Sequence, residues 1–185
     1  MDVFLLRHAE TASNRDGELT TGAGDALTER GRFQAQRIVK GLMDLNVESI
    51  LCSPYPRALD TILPFAEASG LEIEVQPCLA EGQPVPGNAP AKEAPHYYRH
   101  ESGHDFPLAN ETPEAFLGRV LEAHRLISFR AAARILVVSH GHMIRELLNA
   151  FLSLSSRTRF PHENCGLTHI SLGDTIMVHF INRPL

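Results

Sequence analysis

The sequence places side chains that suit chemistry on an anion at a few separated positions. His8 follows Arg7 directly behind a short apolar run, and His140 follows a second such run. Arg57 and Asn14 add another guanidinium and a side-chain amide. Arginine matches the geometry of phosphate oxygens, and a neutral imidazole is a nucleophile. Gathered in one place, these side chains would form a cationic, donor-rich pocket, and the ligand that such a pocket predicts is a phosphoryl group.

These residues can meet only if the elements that carry them bring distant parts of the chain together. Apolar runs and apolar–polar alternation predict the strands: Val3–Leu6, Ser49–Cys52, Leu71–Val75, Ile135–Val138, Leu167–Leu172 and Ile176–Ile181. Helical spacing and cap signals predict the helices: about 29–45 after Thr28, from Ser53-Pro54 to near Gly70, from Thr112-Pro113 to about Arg130, and a last one through Phe151. Residues 12–27 are predicted to be a loop, since glycines lie there among small and polar residues.

Strands that alternate with helices predict an α/β domain. We expect a three-layer α/β/α sandwich, with a mostly parallel central sheet and helices on both faces. In such a sheet, ligands bind beyond the carboxyl ends of the strands. That rule selects the positions just after Val3–Leu6 and just after Ile135–Val138, which hold His8 and His140. The N-termini of the following helices would add backbone donors and a favourable dipole.

Composition narrows the class of protein. A chain of 185 residues suits a single domain, 1–185, and 43% hydrophobic with 21% charged residues excludes a disordered chain. The net charge of −5 argues against a general nucleic-acid partner, and no apolar run nears the ~18 residues that a membrane span needs. Cys52, Cys78 and Cys165 form no C-x-x-C pair, which argues against a disulfide framework and favours a reducing cytoplasm. The oligomeric state is left open.

A proline-rich stretch at about 77–113 breaks the alternation of strands and helices, and we interpret it as an insertion over the site. It contains His100-Glu101-Ser102-Gly103-His104, which matches the H-E-x-x-H pattern of zinc proteases. That pattern needs a helix with both histidines on one face. Because Gly103 lies inside the pattern and Pro107 follows closely, we expect no metal site there.

Three motifs occur in a fixed order along the chain. They are Leu-Leu-Arg-His-Ala-Glu-Thr at 5–11, Ser-Pro-x-x-Arg-Ala-x-x-Thr at 53–61 and Ser-His-Gly at 139–141. Together they resemble the histidine phosphatase superfamily, also called the phosphoglycerate mutase-like superfamily, over essentially the whole chain. The resemblance implies the phosphoglycerate mutase-like fold, a small phosphorylated substrate and neither a metal nor another cofactor. Ala9 stands where glycine is common in that family.

The resemblance also implies a role for each matching residue. His8 would be the nucleophile that accepts the phosphoryl group and forms a phosphohistidine. Arg7, Arg57 and His140 would bind the phosphoryl oxygens. The resemblance further places Asn14 within reach of them and lets the backbone approach closely at Gly141.

A general acid must protonate the leaving oxygen and then activate water. The family places a glutamate after the third strand, and Glu81 in Leu79-Ala80-Glu81-Gly82 is the match, with Glu93 as the fallback. Phosphoglycerate mutases are usually longer and carry extra basic residues, whereas Lys92 and Arg99 are the bases besides histidines in 80–113. The sequence therefore favours a metal-independent phosphatase, with a phosphoglycerate mutase or a non-catalytic phosphate-binding module as the alternatives.

Overall fold

The computed structural model describes residues 1–17, 25–82, 97–99, 105–107, 111–154 and 158–185, with the backbone alone described at 97–99 and 105–107. The strands are β1 (Asp2–Arg7), β2 (Ser49–Cys52), β3 (Ile73–Val75), β4 (Tyr97–Arg99), β5 (Asp105–Pro107), β6 (Arg134–Ser139), β7 (Gly166–Ser171) and β8 (Met177–Pro184). The helices are α1 (Ala12–Asp16), α2 (Glu29–Met43), α3 (Pro56–Ser69), α4 (Pro113–Ser128) and α5 (Gly141–Phe151), with a 3-10 turn at Pro77–Leu79.

The central sheet has six strands in the order β3-β2-β6-β1-β7-β8. The first four of these strands are parallel, while β7 and β8 are antiparallel to their neighbours. The mostly parallel sheet is therefore confirmed. Arg7 at the end of β1 lies opposite Ser139 at the end of β6, and Cys52 at the end of β2 lies opposite Val138. The carboxyl ends of these strands thus share one edge of the sheet.

Both faces of the sheet are covered, which explains the uninterrupted apolar runs of its central strands. Successive side chains of a strand point to opposite faces. Val3 and Leu5 of β1 belong to a core cluster with α4 and α5, whereas Phe4 and Leu6 belong to a second cluster with α2 and α3. The chain therefore folds as the expected three-layer α/β/α sandwich.

Two of the predicted helix starts are confirmed and one is wrong. The hydroxyls of Thr28 and Thr112 accept from backbone amides three residues on, as N-caps do. The third helix, α3, does not begin at Ser53-Pro54. Its N-cap is Tyr55 and its first residue is Pro56. Prolines at 54 and 56 both suit a first helical position, and the hydroxyl of Ser53 has another partner, described below.

The prediction of a loop over all of 12–27 is also wrong, because residues 12–16 form α1. Thr11 caps this helix, and its hydroxyl and the side chain of Asn14 form a reciprocal capping box. Gly17 ends the helix with a φ of 71°, a left-handed conformation that glycine adopts readily. Polar residues that favour loops by composition therefore serve here as helix caps.

Most of the expected insertion at 77–113 lies outside the described residues, as do Glu93 and the H-E-x-x-H pattern at 100–104. Within it, β4 and β5 pair as a separate antiparallel ribbon. The three cysteines carry free, buried thiols, and burial raises the pKa of Cys78 to about 11 and that of Cys165 to about 12. None of the helices in the described ranges has the length and apolar character that a membrane crossing requires.

Candidate active site

His8 lies just beyond β1 and is almost fully buried. Its backbone amide donates to the carbonyl of Ser139, so the neighbouring strand β6 positions it. Its Nδ1 lies 2.7 Å from the carbonyl oxygen of Ala9. A carbonyl can only accept, so Nδ1 carries the proton and Nε2 keeps its lone pair. Burial, followed by the charges of Arg57 and Arg7, holds the pKa of His8 well below 6.5, so the imidazole is neutral at neutral pH.

His140 is fully buried at the carboxyl end of β6, and its ring centroid lies 5.1 Å from that of His8. The Nε of Arg57 donates to Nδ1 of His140 over 3.3 Å. Because Nδ1 accepts this bond, Nε2 carries the proton and donates to the hydroxyl of Ser53 over 2.7 Å. Burial and then the charge of Arg57 hold the pKa of His140 well below its usual value. The site therefore contains a second neutral imidazole of defined tautomer.

Arg57 extends from the first turn of α3 and is almost fully buried, with its guanidinium 4.7 Å from the ring centre of Tyr55. Thr61, one turn further on, links this helix to the loop after β1. Its hydroxyl donates to the carbonyl of Arg57 over 2.6 Å and accepts from the amide of Ala9 over 2.8 Å. The Ser-Pro-x-x-Arg-Ala-x-x-Thr motif thus supplies both a cation and the contact that fixes the segment next to His8.

Arg7 lies beside these groups and carries a buried donor atom that is available to a ligand. Its Nη1 donates to the carbonyl of His162 over 2.5 Å. Its Nε is buried and, within the described part of the chain, has no hydrogen-bond partner. A buried guanidinium donor without a partner is costly, so this position is suited to an anionic ligand. Burial lowers the pKa of Arg7, while the charge of Glu81 raises it.

Glu81 follows the 3-10 turn and lies at the N-terminus of α5. Its Oε1 accepts from the amides of Gly82 and Met143 over 3.0 and 3.1 Å. Its Oε2 accepts from the amide of His142 over 3.3 Å. Backbone donors and the helix dipole therefore orient the carboxylate. Glu81 is also the acidic group that acts most strongly on the pKa values of Arg7 and Arg57, so it lies on the wall of the same site.

Arg119 of α4, which lies in none of the three motifs, holds the segment that carries Glu81. Its Nη1 donates to the carbonyls of Cys78 and Ala80 over 3.2 and 2.5 Å, and its Nη2 donates to that of Glu81 over 3.5 Å. The same guanidinium donates to both carboxylate oxygens of Glu111 in a bidentate ion pair. An arginine within the apolar stripe of α4 is the one signal in the sequence that could have pointed to Arg119. Its carbonyl partners at 78–81 are about 40 residues away along the chain, so the sequence does not reveal them.

The contacts of Asn14 and Gly141 in the structure are with other protein groups. Oδ1 of Asn14 accepts from the amide of Thr11 and, over 2.8 Å, from Nδ2 of Asn164. Nδ2 of Asn164 also donates to the carbonyl of His8 over 3.0 Å, so Asn164 connects Asn14 to the backbone of His8. A Cβ at Gly141 would lie 3.6 Å from Nε of Arg7, an ordinary contact.

Several known proteins are similar to this chain in sequence or fold. The family model of the histidine phosphatase superfamily (branch 1) matches residues 3–178. An acid phosphatase of Mycobacterium tuberculosis is 29% identical over 90% of this chain and 87% of that protein. A Yersinia enterocolitica protein named "Probable phosphoglycerate mutase GpmB" is 26% identical over 92% of this chain and 84% of that protein. The alpha-ribazole phosphatase of Shigella flexneri has the same fold, with a TM-score of 0.77 at 24% identity, over 100% of this chain and 97% of that chain.

Proposed function

The chain belongs to the histidine phosphatase superfamily, branch 1, and from that premise we propose that it is a metal-independent phosphatase that hydrolyses phosphomonoesters through a phosphohistidine intermediate. The substrate class is a small phosphorylated molecule. The acid phosphatase relative and the phosphatase fold neighbour support hydrolysis over mutase activity.

The observation that carries this proposal is the state of His8. A nucleophilic imidazole must be neutral, and the lone pair of one nitrogen must be available. Burial and two guanidinium groups keep the ring neutral, and the Ala9 carbonyl confines its proton to Nδ1. Within the described residues Nε2 makes no hydrogen bond, so it is the nitrogen left for attack.

The first step transfers the phosphoryl group to His8. The Nε2 lone pair forms a bond to phosphorus while the bond between phosphorus and the leaving oxygen breaks. Arg7 and Arg57 stabilise the charge on the equatorial oxygens, and the unused Nε donor of Arg7 gains a partner. His140 contributes a neutral ring beside the same group. These roles require no metal, because guanidinium groups supply the positive charge.

The second step returns the enzyme to its starting state. Glu81 gives a proton to the leaving oxygen in the first step and takes one from water in the second, as the water oxygen attacks the phosphohistidine and the N–P bond breaks. Among the described residues, Oε2 of Glu81 accepts a single long amide bond, so this oxygen retains room for the proton. Inorganic phosphate is then released.

The experiment that tests the proposal is hydrolysis of 4-nitrophenyl phosphate with EDTA present, comparing the wild type with H8A. We expect activity that resists the chelator and disappears in H8A, together with an acid-labile phosphoenzyme in the wild type. The matched control is H124A, because His124 is a half-buried histidine on α4 whose ring packs on Phe151, at the opposite end of α5 from His140. Activity that EDTA abolishes, or that H8A retains, would refute the histidine mechanism.

Two other outcomes identify the alternatives. Phosphoryl transfer that requires a bisphosphorylated primer would indicate a phosphoglycerate mutase, the name carried by one relative. Phosphate binding without turnover would indicate a non-catalytic binding module of this fold.

We also propose that residues 1–185 form one domain with the 77–113 insertion over the site, because two core clusters share one sheet. The three free thiols favour the cytoplasm as the location.

A further inference from the structure

A second group of polar side chains lies at the opposite end of β1 from the proposed nucleophile. Asp2 begins β1, His169 lies on β7, and His179 lies on β8. One ligand atom from each lies within 4.8 Å of the other two, and Oδ1 of Asp2 is 3.1 Å from Nε2 of His169. Among the described residues, no other three histidine, cysteine or carboxylate side chains converge in this way.

Packing holds these side chains in place. The ring of His169 is stacked between Phe4, at a centroid distance of 4.3 Å, and His179, at 4.0 Å. The carboxylate of Asp2 is oriented from its far side, since Nε of Arg134 lies 3.8 Å from Oδ2. Oδ1 is the oxygen that faces the histidines. The Asp2 carboxylate and the His169 ring are therefore already ordered beside each other, which lowers the entropy cost of binding a further ligand.

The hydroxyl of Ser171 lies between the ligand atoms. It donates to Oδ1 of Asp2 over 2.6 Å and accepts from Nε2 of His179 over 2.7 Å. A neutral imidazole carries its proton on either nitrogen. When the proton moves to Nδ1, Nε2 of each histidine becomes a ligand and the serine hydroxyl turns aside. The hydrogen-bonded cluster and an ion-bound cluster thus differ by proton positions, one hydroxyl rotation and a turn of the exposed His179 ring out of its stack on His169.

We propose that Asp2, His169 and His179 bind a zinc ion, with water as the fourth ligand. Two imidazoles and a carboxylate are an established zinc ligand set. Bonds of about 2.0–2.2 Å in a tetrahedral array put neighbouring ligand atoms about 3.3 Å apart. The pair formed by Asp2 and His169 already has this spacing, at 3.1 Å. No two of the ligand atoms are more than 4.8 Å apart, so each remaining pair closes by at most about 1.5 Å to reach the same spacing.

The zinc site is separate from the proposed active site. Asp2 and Arg7 are at opposite ends of β1, which at about 3.3 Å per residue places them roughly 16 Å apart. The ion would connect β1 to β7 and β8, the two antiparallel strands of the sheet. Its effect is on the stability of this side of the fold, and it takes no part in phosphoryl transfer.

The test is a calorimetric titration of the metal-free protein with Zn²⁺ alone. We expect one zinc per chain, with affinity lowered in H179A by at least about 100-fold, since even an outer-shell partner is worth roughly 10–100-fold. His179 is exposed, so its replacement leaves the fold intact, and D2N provides an independent second loss. H124A is the matched control and binds zinc like the wild type. The melting temperature rises with zinc in the wild type and H124A but not in H179A.

Two further variants identify where the ion binds. S171A retains zinc binding, because the hydroxyl competes with the ion for its ligands. H8A also retains it, because the active-site imidazoles lie at the other end of β1. Zinc binding that survives in H179A, that is lost in H8A, or that is absent from the wild type would overturn the proposal. None of these readouts depends on phosphatase activity, so failure here is distinguishable from failure of the proposed function.

Discussion

The guanidinium of Arg57 donates from Nε to Nδ1 of His140 over 3.3 Å, so that one buried cation sets the tautomer of a second histidine. Burial lowers the pKa of His8 most, and among the neighbouring charges that of Arg57 lowers it most. Arg57 therefore acts on both imidazoles at once, on one through a hydrogen bond and on the other through its field.

The first prediction concerns Arg57. R57Q removes a proposed hydrogen-bond donor to the phosphoryl oxygens and part of the positive charge that keeps His8 neutral. We therefore expect kcat/KM to fall by about 10²–10³-fold. The acidic limb of the kcat/KM profile moves to higher pH, because the pKa of His8 rises towards 6.5. The control is R37Q, which removes an exposed arginine on α2. An unchanged acidic limb would show that Arg57 does not control His8.

The second prediction concerns Glu81 as the general acid. Alkoxide leaving groups need a proton, whereas 4-nitrophenolate leaves without much help. E81Q should therefore lose most turnover on an alkyl phosphate and much less on an aryl phosphate. The measurement is the ratio of kcat/KM for the two substrates, with the exposed E67Q as control. Small and equal losses on both substrates would remove Glu81 from this role.

The third prediction concerns Arg119 as a positioning residue. Its fork holds the carbonyls of Cys78, Ala80 and Glu81, and lysine lacks that geometry. R119K should show the substrate pattern of E81Q, with loss concentrated on alkyl phosphates. In the double variant R119K/E81Q the two losses should not add, because they act through the same proton. Fully additive losses would mean that Arg119 acts independently of Glu81.

The fourth prediction concerns acid stability. The pKa values of His8 and His140 are below 6.5 in the folded protein, mainly through burial. Below pH 6.5 the unfolded chain therefore binds protons that the folded chain does not, and stability falls as pH falls. Each histidine contributes a slope of up to about 1.4 kcal/mol per pH unit. Urea unfolding between pH 7.5 and 5.5 measures the slope, which should be smaller in H8N than in the wild type; an equal slope contradicts the assignment.

The fifth prediction uses two helical glycines with opposite surroundings. A Cβ at Gly31 in α2 would lie 2.1 Å from the carbonyl oxygen of Glu10, which is backbone and cannot move cheaply. G31A should therefore destabilise the fold by about 1–3 kcal/mol. A Cβ at Gly118 in α4 meets nothing within 4 Å, so G118A should stabilise by about 0.4–1 kcal/mol. Chemical denaturation measures both, and a stable G31A would show that the loop after β1 can shift.

The sequence predicted the sheet well because its signals are local. The runs at Val3–Leu6 and Ile135–Val138 are apolar on both faces of the sheet, as strands buried on both sides are, and their shortness favours strands over helices. Thr28 and Thr112 precede their helices with the expected cap pattern. The start of α3 was missed because Pro54 and Pro56 give the same local signal, and the contact of Ser53 with the distant His140 is not visible in the sequence.

The site was predictable only where a motif carried it. Asn164 and His162 support His8 and Arg7 through contacts between parts of the chain more than a hundred residues apart. Neither residue lies in a motif, and an asparagine or histidine in a loop usually has no special partner. Arg119 was missed for the same reason. Such contacts become visible only when the sheet has placed the ends of β1, β6 and β7 together.

The pairing of β1 also has a consequence for the order of folding. Both of its neighbours, β6 and β7, come from the last third of the chain, so the strand that leads to His8 is made early and paired late. Contacts of this kind are slow to form. During synthesis the apolar residues of β1 stay unpaired until β6 and β7 have been made, so an aggregation-prone segment is exposed. His8 thus gains its surroundings only after β6 and β7 have been made, and a chain that stops before these strands lacks the contacts that position it.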